Sequence, residues 1–135
     1  MKDINLTMRE NMIMEILWNN SRPMTVSEII PLAKNTSSHT VHALLNSLMD
    51  KGLVKVVGSV KLVKVPCRLY ETTISKADFA VMKSDEVFGS SKKIYVYDFM
   101  TCLVKRKKDH KEEIVRELED FIRDYKEQIN KDMKE

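Results

Sequence analysis

Residues 5–50 contain short stretches of apolar residues at helical spacing, separated by polar breaks. Thr7 and Glu10 form a capping-box pattern, which predicts that a helix begins there. Thr25 and Glu28 repeat this pattern and predict a second, short helix. The polar residues 36–38 predict the start of a third helix. The apolar positions at helical spacing are Met8, Met12, Ile13, Ile16 and Leu17 in the first helix, and Val41, Leu44, Leu45, Leu48 and Met49 in the third.

A β-hairpin is predicted after Gly52, which lies where a helix often ends on a left-handed residue. Residues 53–57 are a β-branched run, residues 58–59 predict a turn, and residues 60–65 continue with alternating polarity. After a proline, residues 68–74 are strand-like again. Three helices followed by a hairpin are the element order of a winged helix-turn-helix.

The second half of the chain is predicted to be helical. Ser75 is expected to cap a helix that runs to Phe88, and an apolar segment at residues 94–104 ends in the basic run 105–108. A last helix is expected from about Asp109. We therefore predict a mostly α (α+β) fold, with a winged helix DNA-binding domain at residues 1–75 and a helical dimerisation domain at residues 76–135.

The last helix has a continuous apolar stripe, formed by Ile114, Leu118, Phe121, Ile122, Tyr125 and Ile129. A stripe of this length needs a partner surface, and three helices alone bury little core. We expect a homodimer, and the alternative is that the stripe packs on the winged domain of its own chain. The expected interface residues are Phe99, Leu103, Ile114, Leu118, Phe121, Ile122 and Tyr125.

The charge is uneven along the chain. Residues 1–75 contain 9 Lys and Arg against 6 Asp and Glu, whereas residues 76–135 contain 14 of each. A modest basic surplus beside a winged helix favours nucleic acid as a partner. No apolar stretch is long enough to cross a bilayer and no signal-peptide pattern opens the chain, so we expect a cytoplasmic protein with no membrane partner.

Catalysis and cofactor binding are not expected. The 3 glycines cannot build a phosphate-binding loop, and no nucleophile, base and oxyanion pattern occurs. Cys67 and Cys102 do not form a disulfide framework, and we expect Cys102 to be a buried apolar residue. His39 and His42 lie three residues apart, but no neighbouring ligand completes a metal site.

The candidate DNA-contacting residues lie on the third helix and on the hairpin. The N-terminal half of a recognition helix faces base edges in the major groove, while cations on a wing neutralise phosphates. Hydroxyl, imidazole and amide side chains offer the hydrogen bonds that base edges and phosphates require, although simple helix capping also explains the serines and Thr40. The candidates are Ser37, Ser38, His39, Thr40, His42, Asn46 and Ser47 on the helix, and Lys55, Lys61, Lys64 and Arg68 on the wing.

Five segments carry a resemblance to a known family. They are residues 6–10 (Leu-Thr-Met-Arg-Glu), 13–18 (Ile-Met-Glu-Ile-Leu-Trp), 24–29 (Met-Thr-Val-Ser-Glu-Ile), 40–45 (Thr-Val-His-Ala-Leu-Leu) and 51–54 (Lys-Gly-Leu-Val). Together they resemble the penicillinase-repressor family. The resemblance implies a dimeric bacterial transcriptional repressor that binds a palindromic operator on double-stranded DNA. It also implies release through a sensor-linked protease that cuts before a Phe, which here gives Asp98-Phe99.

The chain departs from that family in its expected DNA contacts. Thr36 stands where the family commonly has Trp, and the cations usual near His39 and Ser47 are missing. The wing is longer by an insertion at residues 60–67, which could replace lost phosphate contacts. The alternative function is therefore a winged-helix protein-interaction module, an antirepressor or scaffold that has lost strong DNA binding.

Overall fold

The computed structural model describes residues 4–62, 65–89 and 96–134. The elements, in chain order, are α1 (Met8–Asn20), α2 (Val26–Ile29), α3 (Ser38–Asp50), β1 (Val54–Leu62), β2 (Val65–Thr72), α4 (Lys76–Phe88), α5 (Val96–Arg106) and α6 (Lys111–Lys134). Short 3-10 turns at Ile30–Leu32 and Lys108–His110 follow α2 and precede α6. The predicted fold class is confirmed, because three helices and an antiparallel two-stranded hairpin form a winged helix-turn-helix ahead of further helices.

The helices begin where the sequence predicted. The hydroxyls of Thr7 and Thr25 accept hydrogen bonds from the amides of Glu10 and Glu28, and the carboxylates of these glutamates accept hydrogen bonds from the backbone amides of the cap residues. Ser37 and Ser75 cap α3 and α4 through their hydroxyls alone, which accept hydrogen bonds from the amides of Thr40 and Asp78. Each cap satisfies an amide that has no acceptor within the helix, which fixes where the helix starts.

The end of α3 has the geometry of a Schellman motif. Gly52 adopts a φ of 77°, its amide donates to the carbonyl of Met49, and the amide of Leu53 donates to the carbonyl of Leu48. A residue with a Cβ atom is strained at such a positive φ, which explains why glycine ends the helix here. The chain then turns directly into β1.

The core lies between α1, α2, α3 and the base of the hairpin. Met24 joins the hairpin through two backbone hydrogen bonds to Tyr70, of 2.9 and 2.8 Å. Tyr70 is itself buried. Its bonds to Met24 therefore connect β2 to the segment between α1 and α2 within the core. The most deeply buried apolar side chains are Ile13, Met14, Met24, Ile29, Val41, Leu45, Leu48 and Leu53.

The predicted turn at residues 58–59 is wrong. β1 continues through Gly58 and Ser59, with a bulge between Val56 and Gly58, and pairs with β2 as far as Leu62 opposite Val65. Val57 is the extra residue of the bulge, and Gly58 directly follows it as a paired residue of the strand rather than a turn residue. The strands connect through residues 63 and 64, which lie outside the described residues.

The structure also places a proline inside β2. Pro66 stands opposite Lys61, although the sequence predicted an interruption at this position. Proline removes one backbone donor, a loss that a strand with an open edge tolerates. The wing is consequently a continuous two-stranded arm.

α4 packs on the winged half of the chain. The rings of Trp18 and Phe79 lie 5.4 Å apart, and the indole Nε1 of Trp18 donates to the carbonyl of Ile74 at 3.0 Å. Lys76 also forms an ion pair with Glu15 at 2.9 Å. These contacts explain why the compact units divide as residues 1–90 and 91–135, beyond the expected boundary at 75/76. The functional division into DNA-binding and dimerisation parts stays a prediction.

The second unit contains α5 and α6. Cys102 is exposed on α5, so its expected burial is wrong. Throughout the part of the chain that the structure describes, no helix combines the length and apolarity that crossing a membrane requires.

Candidate nucleic-acid interface

Helix α3 has one buried face and one face open to solvent. Val41, Leu45 and Leu48 are fully buried against the rest of the winged unit. His42 and Asn46 are exposed, because each follows a buried residue by about 100° of helical rotation. The solvent-facing side of α3 is therefore polar, with imidazole and amide groups but no lysine or arginine.

The first turn of α3 is organised by its cap. The hydroxyl of Ser37 accepts from the amide of Thr40 at 3.2 Å and lies 2.9 Å from the hydroxyl of Thr40. Ser38 and His39 are exposed beside this pair. Ser37 and Thr40 thus have a structural role that does not require DNA, while Ser38 and His39 present their side chains outward.

A groove of about 450 Å³ separates α3 from the wing. Ser38, His42 and Asn46 line it from α3, and Arg68 lines it from β2. The structure therefore brings three of the predicted helix residues and one predicted wing cation to one surface. Cys67 also lines the groove, although its sequence context predicted a strand that begins only after it.

The other wing cations have different positions. Ser59 pairs with Arg68 and Lys61 with Pro66, so strand alternation puts Lys61 and Arg68 on the same face of the hairpin. Lys55 is exposed near the base of the hairpin and stands opposite Glu71. Lys64 lies outside the described residues. Among the wing cations that the structure describes, Lys61 and Arg68 therefore lie on one face, where they can contact the same partner.

Ser47 does not belong to this surface. Its hydroxyl donates to the Glu10 carboxylate at 2.6 Å, and Glu10 is only 2% exposed. The ammonium group of Lys51 donates to the other carboxylate oxygen at 2.8 Å, and so does the backbone amide of Thr7 at 2.9 Å. Ser47 is half-buried and hydrogen-bonded to Glu10, and it does not line the groove.

The surroundings of Glu10 strongly favour its charged form. Burial alone would raise the pKa of this carboxyl group, but the hydrogen bonds from Lys51, Ser47 and the Thr7 amide lower it, and the pKa falls to about 2. The sequence showed Glu10 only as part of a capping box. In the sequence, Lys51 is a charge that could pair with Glu10, but only the structure brings the two side chains together.

The charge of Glu10 predicts how stability depends on pH. The folded-state pKa of about 2 lies below the ordinary value of 4.5, so the folded protein binds fewer protons between these pH values. The contribution of this carboxylate to the free energy of unfolding is therefore fully present above about pH 4.5 and is lost as pH falls towards 2. We expect urea unfolding midpoints to drop more steeply across this range in the parent protein than in Glu10→Gln. Parallel pH profiles for the two proteins would contradict the assignment.

The expected dimer residues lie in the second unit. Phe99, Phe121, Ile122 and Tyr125 are about half exposed, and Leu103, Ile114 and Leu118 are partly buried. The rings of Phe121 and Tyr125 lie 4.6 Å apart on one side of α6. The chain thus leaves large apolar side chains in contact with solvent along α6.

The proposed cleavage position lies near the beginning of α5. Asp98 is exposed and falls in the first turn of the helix, followed directly by Phe99. A protease active site binds extended backbone, so this turn has to open before it can be cut.

Metal binding gains no support from the arrangement of side chains. Among residues 4–62, 65–89 and 96–134, no group of three or more His, Cys, Asp or Glu side chains could hold a metal ion. His39 and His42 are exposed on α3 without a third ligand in this part of the chain.

The fold and the groove define a winged helix-turn-helix protein with a polar exposed surface on α3. A comparison with family profiles matches residues 6–124 to the penicillinase repressor family. The chain belongs to this family of transcriptional repressors, which confirms the resemblance seen in the sequence. No curated protein matches the chain in a sequence search.

Proposed function

We propose that the protein is a dimeric repressor that binds a palindromic DNA operator through α3 and the wing. The observation that supports this function best is the groove that places Ser38, His42 and Asn46 opposite Arg68. Hydrogen-bonding groups on a helix suit base edges in the major groove, and a guanidinium on the wing suits a phosphate. A repressor of this kind acts where the DNA lies, which in a bacterium is the cytoplasm.

The two kinds of contact have different consequences. Contacts from α3 to bases discriminate between sequences, while Arg68 and Lys61 add affinity that does not depend on sequence. α3 has no lysine or arginine. In the part of the chain that the structure describes, the wing therefore supplies much of the positive charge near the groove. We therefore expect moderate affinity with a marked dependence on wing cations.

Homodimerisation is proposed through the apolar side of α6. This helix has 24 residues and is about 36 Å long, and its half-exposed apolar residues extend over most of that length. A surface of this kind rarely stays open to solvent in a stable protein. A twofold dimer would present two recognition helices to two operator half-sites.

Release of DNA is proposed to follow cleavage between Asp98 and Phe99 by a sensor-linked protease. A cut at this bond would separate α6 and most of α5 from the winged unit. The winged units would then bind DNA as monomers and lose the affinity that two linked half-sites provide. The chain carrying Phe99→Ala should resist such a protease, which mass spectrometry of the digest would show. Because Phe99 is also an expected interface residue, sedimentation must confirm that the variant is dimeric before its DNA binding is compared with that of the parent.

The experiment that tests the function is selection of bound duplexes from a random DNA pool by the purified protein near physiological salt. We expect enrichment of a palindrome whose half-sites lie about one helical turn apart. Folded, dimeric protein that enriches no sequence would contradict DNA-binding repression. It would favour the interaction module, whose apolar contacts respond little to salt.

His42→Ala should weaken binding of the proposed dimer to the enriched duplex by about 100-fold, because a lost base contact costs roughly 1–3 kcal/mol and is lost in each of the two half-sites. The measurement is a DNA titration by fluorescence anisotropy. His110→Ala, the same substitution on the 3-10 turn before α6, is the matched control and should leave the affinity unchanged. Equal affinities for all three proteins would exclude His42 from the interface.

Arg68→Gln should reduce the salt dependence of binding. One phosphate contact contributes about 0.9 to the slope of log K against log salt concentration, and the proposed dimer contains two Arg68 side chains, so the slope should become shallower by about 1.8. Lys126→Gln removes the same charge from α6 and serves as the control. If both variants have the parent slope, Arg68 does not contact a phosphate.

A further inference from the structure

Glu10 is a buried carboxylate that connects α1 with the C-terminal end of α3. A charged side chain is rarely buried to this degree unless other groups pair with it. Here Ser47 donates to one carboxylate oxygen, and Lys51 and the Thr7 amide donate to the other. Lys51 also donates to the backbone carbonyl of Asn5 at 2.7 Å. The carboxylate therefore joins α1, the end of α3 and the segment before α1.

The two contacts from the α3 side restrict how that helix can rotate. Ser47 and Lys51 are four residues apart, so they lie on the same side of the helical turn. Burial of Val41, Leu45 and Leu48 holds α3 in place, but apolar burial is not directional. Hydrogen bonds to a fixed carboxylate are directional, and hence they select one rotational setting.

The rotational setting determines which residues face the groove. Asn46 directly precedes Ser47, and helical geometry turns Asn46 outward when Ser47 points to Glu10. His42 lies one turn earlier on the same side as Asn46, and both line the groove. A small rotation at Ser47 would therefore move both side chains relative to a bound base pair.

We propose that Glu10 is a positioning residue for sequence recognition, which holds α3 through Ser47 and Lys51 in the setting that aims His42 and Asn46 at DNA. This inference rests on the proposed DNA-binding function. It differs from a purely stabilising role because it concerns discrimination between DNA sequences rather than the free energy of unfolding.

The test compares specific with non-specific DNA. The first variant is Glu10→Met/Lys51→Met, which removes the ion pair, keeps the net charge and fills the space with apolar groups of similar size. Replacing a buried ion pair in this way is often neutral for stability, whereas removing one partner is not. All titrations are made at a temperature where unfolding curves show the protein to be fully folded and sedimentation gives the parent's oligomeric state.

The measured quantity is the ratio of dissociation constants for a scrambled duplex and for the duplex enriched by the parent protein. We expect the double variant to lower this ratio by about tenfold, with unchanged affinity and salt slope on the scrambled duplex. A merely structural role would leave the ratio of the folded variant at the parent value, and that result would overturn the proposal.

A second pair of variants covers the case in which the double variant does not fold. Ser47→Ala removes one directional bond and should lower the ratio, while Ser47→Thr keeps the hydroxyl and should restore it. Equal ratios for both variants and the parent overturn the role of Glu10 but leave DNA binding intact. If the parent itself enriches no duplex, the DNA-binding function fails and this inference falls with it.

Discussion

Leu45→Ala should lower the free energy of unfolding by about 3 kcal/mol, within the range of 2–5 kcal/mol that large-to-small core substitutions show. Leu45 is fully buried at the centre of α3, where its side chain belongs to the core shared with α1 and the hairpin base. The substitution removes apolar contacts and leaves a cavity, although alanine favours the helix itself. The measurement is urea unfolding followed by circular dichroism.

The neighbouring substitution Asn46→Ala is the matched control for this prediction. Asn46 is exposed on the same helix, so its replacement should change the free energy of unfolding by less than about 0.5 kcal/mol. All proteins are compared at one concentration, because the stability of a dimer depends on protomer concentration. A similar loss in both variants would mean that the two faces of α3 are assigned wrongly.

Ile122→Asp should weaken self-association by about 100-fold or more, because the proposed dimer would bury an unpaired carboxylate. Ile122 is 49% exposed in the protomer and lies in the apolar stripe of α6. Sedimentation equilibrium measures the association constant directly. The same variant should bind the enriched palindrome more weakly than the parent, since two linked half-sites no longer act together.

Asn130→Asp adds the same negative charge to α6 outside the apolar stripe and is the control. It should associate like the parent protein. If Ile122→Asp remains dimeric, the stripe of α6 is not the interface, and an interface elsewhere or a monomeric protein has to be considered.

Local sequence signals predicted most of the elements correctly. Thr7, Thr25, Ser37 and Ser75 cap helices as expected, because a cap needs only a side-chain oxygen and an amide a few residues later. Gly52 ends α3 for an equally local reason, its left-handed conformation. Interactions of this range are encoded within a few residues, so the sequence alone suffices to find them.

Local signals do not determine features that depend on pairing with a distant segment. Gly58 and Ser59 resemble a turn by composition, yet the register between β1 and β2 makes them part of a longer strand. Position 75/76 resembles a boundary, yet Phe79 packs on Trp18 and keeps α4 with the winged unit. In both cases the deciding contact lies far along the chain, where local propensity gives no information.

The candidate interface divides in the same way. The sequence by itself determined the helix order, the caps, the polar side of α3 and the apolar stripe of α6, because each follows from residue type and periodicity. Only the tertiary structure decided that Arg68 shares a groove with His42 and Asn46, and that Ser47 turns inward to Glu10. Glu10 and Ser47 are 37 residues apart in sequence, and only the packing of α1 against α3 brings them within hydrogen-bonding distance.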